Sequence, residues 1–124
     1  MNQTPELNDL NTPISFFKDK VKRFVNKRNW TKYHTPKNLV QAINCEAGEL
    51  SQLLLFKDYK KEDILGDKIL LTNISDEIAD VFIYLISLIN LLDLDLSQIF
   101  KKKMEKNKKK YNIAEFNNGM YYKK

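Results

Sequence analysis

Residues 76–92 have the sequence DEIADVFIYLISLINLL, and this stretch decides the fold. Between Ile78 and Ile89, apolar side chains fall on nearly every face of a helix, whereas a surface helix carries an apolar stripe on one side only. We therefore expect this helix to lie in the middle of an assembly, covered by other helices and by other copies of the chain. Because Ser87 and Asn90 interrupt the stretch, and it is shorter than the roughly 20 residues of a membrane helix, we expect no membrane association.

Two helix start signals precede this stretch. In Thr12-Pro13 and again in Thr35-Pro36, a residue with a capping side chain is followed by proline, which is favoured in the first turn of a helix. Apolar residues recur at helical spacing after each signal. The sequence therefore predicts one helix that ends near residues 26–29 and a second that ends near Phe56.

The rest of the chain predicts two more helices. The segment after the second helix, 57–67, is charged and indicates a loop with room for one helical turn, and the central helix follows it to about Leu92. Asp95, with Gln98 three residues later, resembles a capping box that opens a fourth helix toward Tyr111. The expected fold is all-α, a bundle of about four helices in a single domain. Its expected parts are a loose arm, a helical core and a tail, at 1–11, 12–111 and 112–124.

The composition favours helices and a reducing compartment. Three Gly and three Pro in 124 residues provide few turns. The single Cys45 excludes a disulfide framework within one chain, and the first residues lack the basic and apolar segments of a secretory signal. We therefore expect a soluble, cytoplasmic protein.

A lysine-rich segment explains the formal net charge of +5. Seven of the 21 basic residues lie between Lys101 and Lys110, and no aromatic residue is interleaved before Tyr111. We interpret the segment as a solvated helix face and do not expect nucleic acid as a partner. The alternative is a basic nucleic-acid-binding helix, whose affinity would fall steeply with salt.

Two acidic pairs, Glu46–Glu49 and Glu77–Asp80, have carboxylates three residues apart, which places each pair on one face of a helix. The 28 positions from Glu49 to Glu77 allow the second helix to return alongside the first. Both pairs lie in apolar sequence, where carboxylates are costly unless something neutralises them. Three interpretations stay open: a site for a divalent cation, boundary carboxylates in solvent, or a structural network with buried lysine or arginine.

The residue types limit which metal such a site would bind. His34 is the only histidine and lies outside any Glu-x-x-His motif, which argues against a di-iron bundle. One Cys and one His exclude structural zinc. Ligation by oxygen alone leaves Mg²⁺ or Mn²⁺, ions that usually keep bound waters and bind together with phosphates. We therefore expect a phosphorylated substrate to bind together with the ion.

These residues resemble the MazG-type all-α nucleotide pyrophosphohydrolases, in particular the small single-domain branch that includes dCTP pyrophosphatases. The similar segments occur in the family's order and cover roughly residues 16–111. They are RNWTKYHTPKNL at 28–39, EAGEL at 46–50, DEIADVFIYL at 76–85, KMEKN at 103–107 and KY at 110–111.

The resemblance implies a function and a set of site residues. In that family four acidic residues bind Mg²⁺, and a nucleoside triphosphate is split to monophosphate and pyrophosphate; here these would be Glu46, Glu49, Glu77 and Asp80. The nucleotide pocket would be shaped by Trp30, His34, Asn38, Phe56 and Tyr84, and Lys103 and Asn107 would reach the phosphates or the sugar. Three of these residues also have a structural interpretation: Trp30 as a core aromatic, His34 as a helix cap and Lys103 as a solvated lysine.

Two residues differ from the pattern of the dCTP-type branch, and both differences concern recognition of the nucleotide base. The dCTP-type branch usually has Trp where this chain has Phe56, and a histidine where this chain has Val21. The expected substrate is therefore open among dCTP, a modified pyrimidine deoxynucleotide and a broader set. The alternative function is a nucleotide-binding or regulatory helical module without turnover. For the assembly we expect a homodimer or a homotetramer, whose active site could be completed across subunits.

Overall fold

The computed structural model describes residues 6–124, and these form an all-helical fold without a strand. The all-α prediction is confirmed, with five α-helices instead of about four. They are α1 (Ile14–Lys27), α2 (Pro36–Gln52), α3 (Lys61–Leu65), α4 (Lys68–Leu91) and α5 (Leu96–Lys110), and a 3₁₀ turn, Thr31–Tyr33, lies between α1 and α2. Residues 1–5 of the predicted arm lie outside the described residues. None of the described helices is long and apolar enough to cross a membrane.

The chain forms two compact units, Met1–Asp93 and Leu94–Lys124; the expectation of a single domain stays a prediction. In the first unit α4 is central and packs against α2, α1 and α3. Its apolar core includes the buried side chains of Leu39, Ile86 and Ile89. The helix predicted to be central, α4, is therefore the central helix of this unit.

Side-chain caps fix the starts of α2, α4 and α5. The Thr35 hydroxyl accepts a hydrogen bond from the Asn38 backbone N–H at 3.2 Å, which confirms the predicted start of α2. Asp95 likewise accepts from the Gln98 N–H at 2.9 Å and begins α5. These contacts satisfy backbone donors that the first turn leaves unpaired.

The predicted cap of α1 is wrong by one residue. Pro13 occupies the cap position, and α1 has no side-chain cap. The Thr12 hydroxyl donates instead to Asn11 Oδ1 at 2.6 Å. Its local hydrogen bond competes with the capping role, as is common for short polar side chains.

The end of α2 also differs from the prediction, because the helix stops at Gln52 and not near Phe56. Leu54 and Leu55 donate their backbone N–H groups to carbonyls three residues earlier, which tightens the chain into turns. Phe56 then adopts a φ of 58°, in the left-handed region, which does not continue the helix. After this turn, Asp63 accepts a hydrogen bond from the Lys60 N–H at 2.9 Å and begins the short α3.

The second unit contains α5 and a C-terminal segment that makes more contacts than a tail would. The rings of Tyr111 and Phe116 lie 5.3 Å apart, and those of Phe116 and Tyr122 lie 4.9 Å apart. Glu115 accepts hydrogen bonds from the Tyr122 hydroxyl and the Lys124 ammonium group. Aromatic packing therefore orders part of the predicted tail.

Candidate functional site

The carboxylates of the two acidic pairs converge where α2 packs against α4. Glu46 on α2 and Glu77 and Asp80 on α4 each offer an oxygen, and these atoms lie within 4.8 Å of one another. Glu49, one helical turn after Glu46, stands outside this close group. It is still near enough for its charge to act on both Glu46 and Glu77. We call these four residues the acidic cluster.

Burial makes the charged forms of two of these carboxylates unfavourable. The pKa of Glu46 is raised from 4.5 to about 7, first by burial and then by the neighbouring Glu49 carboxylate. The pKa of Glu77 is raised as well, with burial again the largest cause. In addition, Glu46 Oε2 and Glu77 Oε2 are buried and have no hydrogen-bond partner among the described residues. Such atoms need a proton or a cation.

The acidic cluster fits a divalent cation with a preference for oxygen ligands. The donors are carboxylates only, and two of their oxygens are buried without a hydrogen-bond partner among the described residues. Mg²⁺ and Mn²⁺ prefer such ligands, whereas zinc sites are usually built with Cys or His. Glu46, Glu77 and Asp80 would hold the ion directly, and Glu49 would add charge beside them.

Metal-free protein is expected to lose stability as the pH rises from 5 to 8. Because the pKa of Glu46 is higher in the folded chain, folding takes up protons between its ordinary value of 4.5 and about 7. The resulting stabilisation is complete below 4.5 and is lost as the pH passes 7. Mg²⁺ competes with these protons, so it should raise the thermal midpoint more at pH 8 than at pH 5. Thermal unfolding in EDTA and in Mg²⁺ measures both effects.

A Glu46→Gln variant is the control for this pH dependence. Burial lowers the pKa of His34 below 6.5, which acts in the opposite direction, so the difference between wild type and variant isolates the carboxylate. The variant should lose a large part of the decrease between pH 5 and pH 8. Equal slopes for the two proteins would contradict the effect of Glu46.

An apolar cavity of about 450 Å³ lies between α1, the α1–α2 connection and α4. Three of the predicted pocket residues line it: Trp30, His34 and Tyr84. Trp30 is 44% exposed, and its ring packs edge-on against Phe24 at 5.9 Å. The Arg28 guanidinium carbon lies 5.9 Å from the centroid of the same ring, and the exposed part of the ring offers a surface for stacking against a planar ligand.

The other predicted pocket residues are not part of this cavity wall. Asn38 donates through Nδ2 to the Tyr33 carbonyl at 2.9 Å and so ties the 3₁₀ turn to α2. Phe56 is 97% exposed. Lys103 and Asn107 lie one turn apart on α5, in the second unit. Their contacts with substrate stay predictions.

The sequence analysis missed several residues of the cavity wall. One group follows helical spacing along α1, and a second group lies on α4; these are Phe17, Lys20, Phe24, Val25, Ala79, Phe82, Ile83 and Ser87. The spacing of the apolar members is that of ordinary core residues. A cavity is a gap in packing, so periodicity indicates the apolar face without showing where that face is left unfilled.

Comparison with known proteins agrees with this geometry. Residues 34–113 match the model of the MazG nucleotide pyrophosphohydrolase domain. dCTP pyrophosphatase 1 of Mus musculus is 32% identical over 91 residues, which cover 73% of this chain and 54% of that protein. The human protein of the same name is 32% identical over 89 residues, covering 71% of this chain and 52% of the human protein.

A solved structure is similar in fold as well as in sequence. The crystal structure of a pyrophosphatase from Archaeoglobus fulgidus has a TM-score of 0.73 and 32% identity, and the match covers 86% of this chain and 99% of that one. The chain belongs to the MazG nucleotide pyrophosphohydrolase family. It spans about half the length of the dCTP pyrophosphatases that it matches.

Proposed function

We propose that this protein is a Mg²⁺-dependent pyrophosphohydrolase that converts a (deoxy)nucleoside triphosphate to the monophosphate and pyrophosphate, with Mn²⁺ as a possible substitute. The observation that carries the proposal is the convergence of Glu46, Glu77 and Asp80 with two buried oxygens that lack a protein partner. Family membership supplies the reaction type. The single cysteine agrees with a reducing compartment such as the cytoplasm. There the enzyme would remove unwanted nucleotides from the pool.

Different residues of the chain take different parts in this reaction. A bound divalent cation supplies charge neutralisation at the phosphates and a more acidic water. Glu46, Glu77 and Asp80 hold the ion, and a carboxylate of the acidic cluster orients the attacking water and takes its proton. The water oxygen bonds to the α-phosphorus, and the bond between this phosphorus and the oxygen that bridges to the β-phosphate breaks. Pyrophosphate then leaves with the electron pair of the broken bond.

The nucleoside part of the substrate would occupy the 450 Å³ cavity. Trp30 offers a stacking face, and His34 and Tyr84 lie in the same wall. The relatives named dCTP pyrophosphatase make dCTP or a modified pyrimidine deoxynucleotide the first candidates. Asn38 and Phe56 would complete this part of the nucleotide site, and contacts of Lys103 and Asn107 with the phosphates or the sugar stay predictions from the resemblance.

The test is hydrolysis of a panel of ribo- and deoxynucleoside triphosphates by the purified protein with Mg²⁺. We expect monophosphate and pyrophosphate in equal amounts, no activity in EDTA, and recovery with Mn²⁺. Chromatographic separation distinguishes these products from diphosphate and orthophosphate. Formation of diphosphate would refute the reaction type. Tight Mg²⁺-dependent binding without turnover would favour the alternative, a nucleotide-binding or regulatory module.

We also propose that the chain assembles as a homodimer or homotetramer through α4. Four apolar residues recur at intervals of seven along this helix and its cap, and each is between 36% and 54% exposed: Leu71, Ile78, Leu85 and Leu92. We call them the α4 stripe. Apolar residues with this repeat form the contact line between packed helices. A second copy of the chain would cover the stripe and remove its apolar surface from water.

A further inference from the structure

Ser87 is a buried polar side chain in the C-terminal part of α4, with 6% of its surface exposed. Its hydroxyl has no hydrogen bond to any of the residues that the structure describes. Two other hydroxyls on the same helix behave differently: Thr72 donates to the Lys68 carbonyl at 2.8 Å, and Ser75 donates to the Leu71 carbonyl at 2.7 Å. The local bond that usually satisfies a helical hydroxyl is therefore absent at Ser87.

The unpaired hydroxyl belongs to the wall of the apolar cavity. Ser87 lines the 450 Å³ cavity and also a neighbouring one of about 220 Å³, and His34 is the other polar side chain that the two cavities share. Their shared apolar residues are Val21 and Val25. Ser87 and His34 are thus two polar side chains common to both cavities, and the wall of the larger cavity is mostly apolar.

The position of Ser87 relative to the acidic cluster suits the base of a nucleotide. Asp80, Tyr84 and Ser87 follow one another at intervals of four and three residues, so they share one face of α4. Seven residues of helix place Ser87 about 10 Å along the axis from Asp80. A nucleotide whose phosphates lie at the acidic cluster would bring its base near Ser87 if its sugar followed this face of α4.

An apolar wall alone distinguishes bases poorly, because all bases present similar flat faces to it. Strong discrimination comes from buried groups that would be left unpaired by the wrong ligand. A serine hydroxyl donates one hydrogen bond and accepts others, and a neutral imidazole donates one and accepts one. Burial lowers the pKa of His34, which favours its neutral form.

We propose that Ser87, together with His34, makes the hydrogen bonds that select the base of the nucleotide held in this cavity. The inference rests on the proposed function and adds a specificity-determining residue to it. Ser87 contacts the base and takes no part in the bond cleavage, so its removal should change the order of substrates and leave the chemical step intact.

The test compares base preference in equilibrium binding. The chain has a single tryptophan, Trp30, and this residue lies in the cavity wall, so its fluorescence reports occupancy. Non-hydrolysable α,β-methylene analogues of dATP, dGTP, dCTP and dTTP are titrated in Mg²⁺ against wild type, Ser87→Ala and Thr72→Ala. In Ser87→Ala, the ratio of Kd values between the best and the worst base should change by about five- to ten-fold. Thr72→Ala, which removes an exposed hydroxyl from the same helix, should keep the wild-type ratios.

Hydrolysis provides the second readout. With natural triphosphates, the change in Ser87→Ala should appear in KM and differ from base to base, while kcat for the preferred base stays near the wild-type value. Ser87→Thr and Ser87→Val differ chiefly in the hydroxyl, and they repeat the comparison if the alanine variant folds poorly. The threonine variant should keep the wild-type order of bases.

Several outcomes overturn the proposal. Unchanged ratios in Ser87→Ala would exclude a contact with the base, and equal weakening for all four analogues would indicate a packing role. Failure of wild type to bind any analogue would also refute it. Failure of the proposed function has a different signature, which is analogue binding by wild type without release of pyrophosphate from the natural triphosphates.

Discussion

Replacement of Glu77 by glutamine is expected to lower Mg²⁺-dependent pyrophosphate release on the order of 1,000-fold. The substitution keeps the size of the side chain and removes its charge. A cation held by Glu46, Glu77 and Asp80 would lose one of three oxygen ligands that lie within 4.8 Å of one another. Charge stabilisation by a metal ion contributes several kcal/mol to such transition states, and this is the source of the expected magnitude. Steady-state assays with pyrophosphate detection measure the loss.

The same variant should be more stable than wild type when metal is absent. Glu77 Oε2 is buried without a hydrogen-bond partner, and burial raises the pKa of this carboxyl. A neutral amide avoids the burial of a charge beside Glu46 and Asp80, so the thermal midpoint in EDTA should rise at pH 8. Lower activity combined with higher stability is typical of a functional site and is not produced by unfolding.

Glu62→Gln is the matched control for Glu77→Gln. Glu62 lies in the first turn of α3, and its side chain is exposed. This variant should keep both the wild-type activity and the wild-type thermal midpoint in EDTA. Near-normal turnover by Glu77→Gln would refute the metal site, and equal losses in both variants would indicate a general charge effect.

Local signals explain why parts of the fold could be predicted from the sequence. The Thr35 and Asp95 caps act within four residues, so a short motif suffices to locate the starts of α2 and α5. The end of α2 could not be predicted in this way. Phe56 adopts a positive φ that is usually associated with Gly or Asn, and no such residue marks the turn.

The candidate site shows a similar division between local and tertiary information. Spacing places Glu46 with Glu49 and Glu77 with Asp80, because residues three apart share a helix face. It does not determine that Glu46 meets Glu77 and Asp80 while Glu49 stands further out, since this depends on how α2 and α4 are rotated against each other. The role proposed for Ser87 could not be predicted from the sequence for a related reason. A hydroxyl without a hydrogen-bond partner is recognised only when its surroundings are known.

Replacement of Leu85 by glutamate is expected to convert the assembly into monomers. Leu85 is at the middle of the α4 stripe and is 41% exposed, so a carboxylate there stays solvated in a monomer. In a pair of copies packed along α4, the same charge would be buried without a partner. Glutamate is a good helix former, so α4 itself should persist. Sedimentation at micromolar concentration should show wild type as a dimer or tetramer and the variant at the mass of one chain.

Leu65→Glu separates this effect from general surface changes. Leu65, at the end of α3, is also exposed but lies outside the α4 stripe, and its replacement should leave the mass unchanged. A monomeric wild type, or an unchanged mass in Leu85→Glu, would refute assembly along the stripe. The activity of a monomeric Leu85→Glu shows whether the nucleotide site needs two copies, because Leu85 is next to Tyr84 of the cavity wall but is not among the residues that line the cavity. If the monomer keeps Mg²⁺ binding and loses turnover, the acidic cluster is complete in one chain and the nucleotide site requires two.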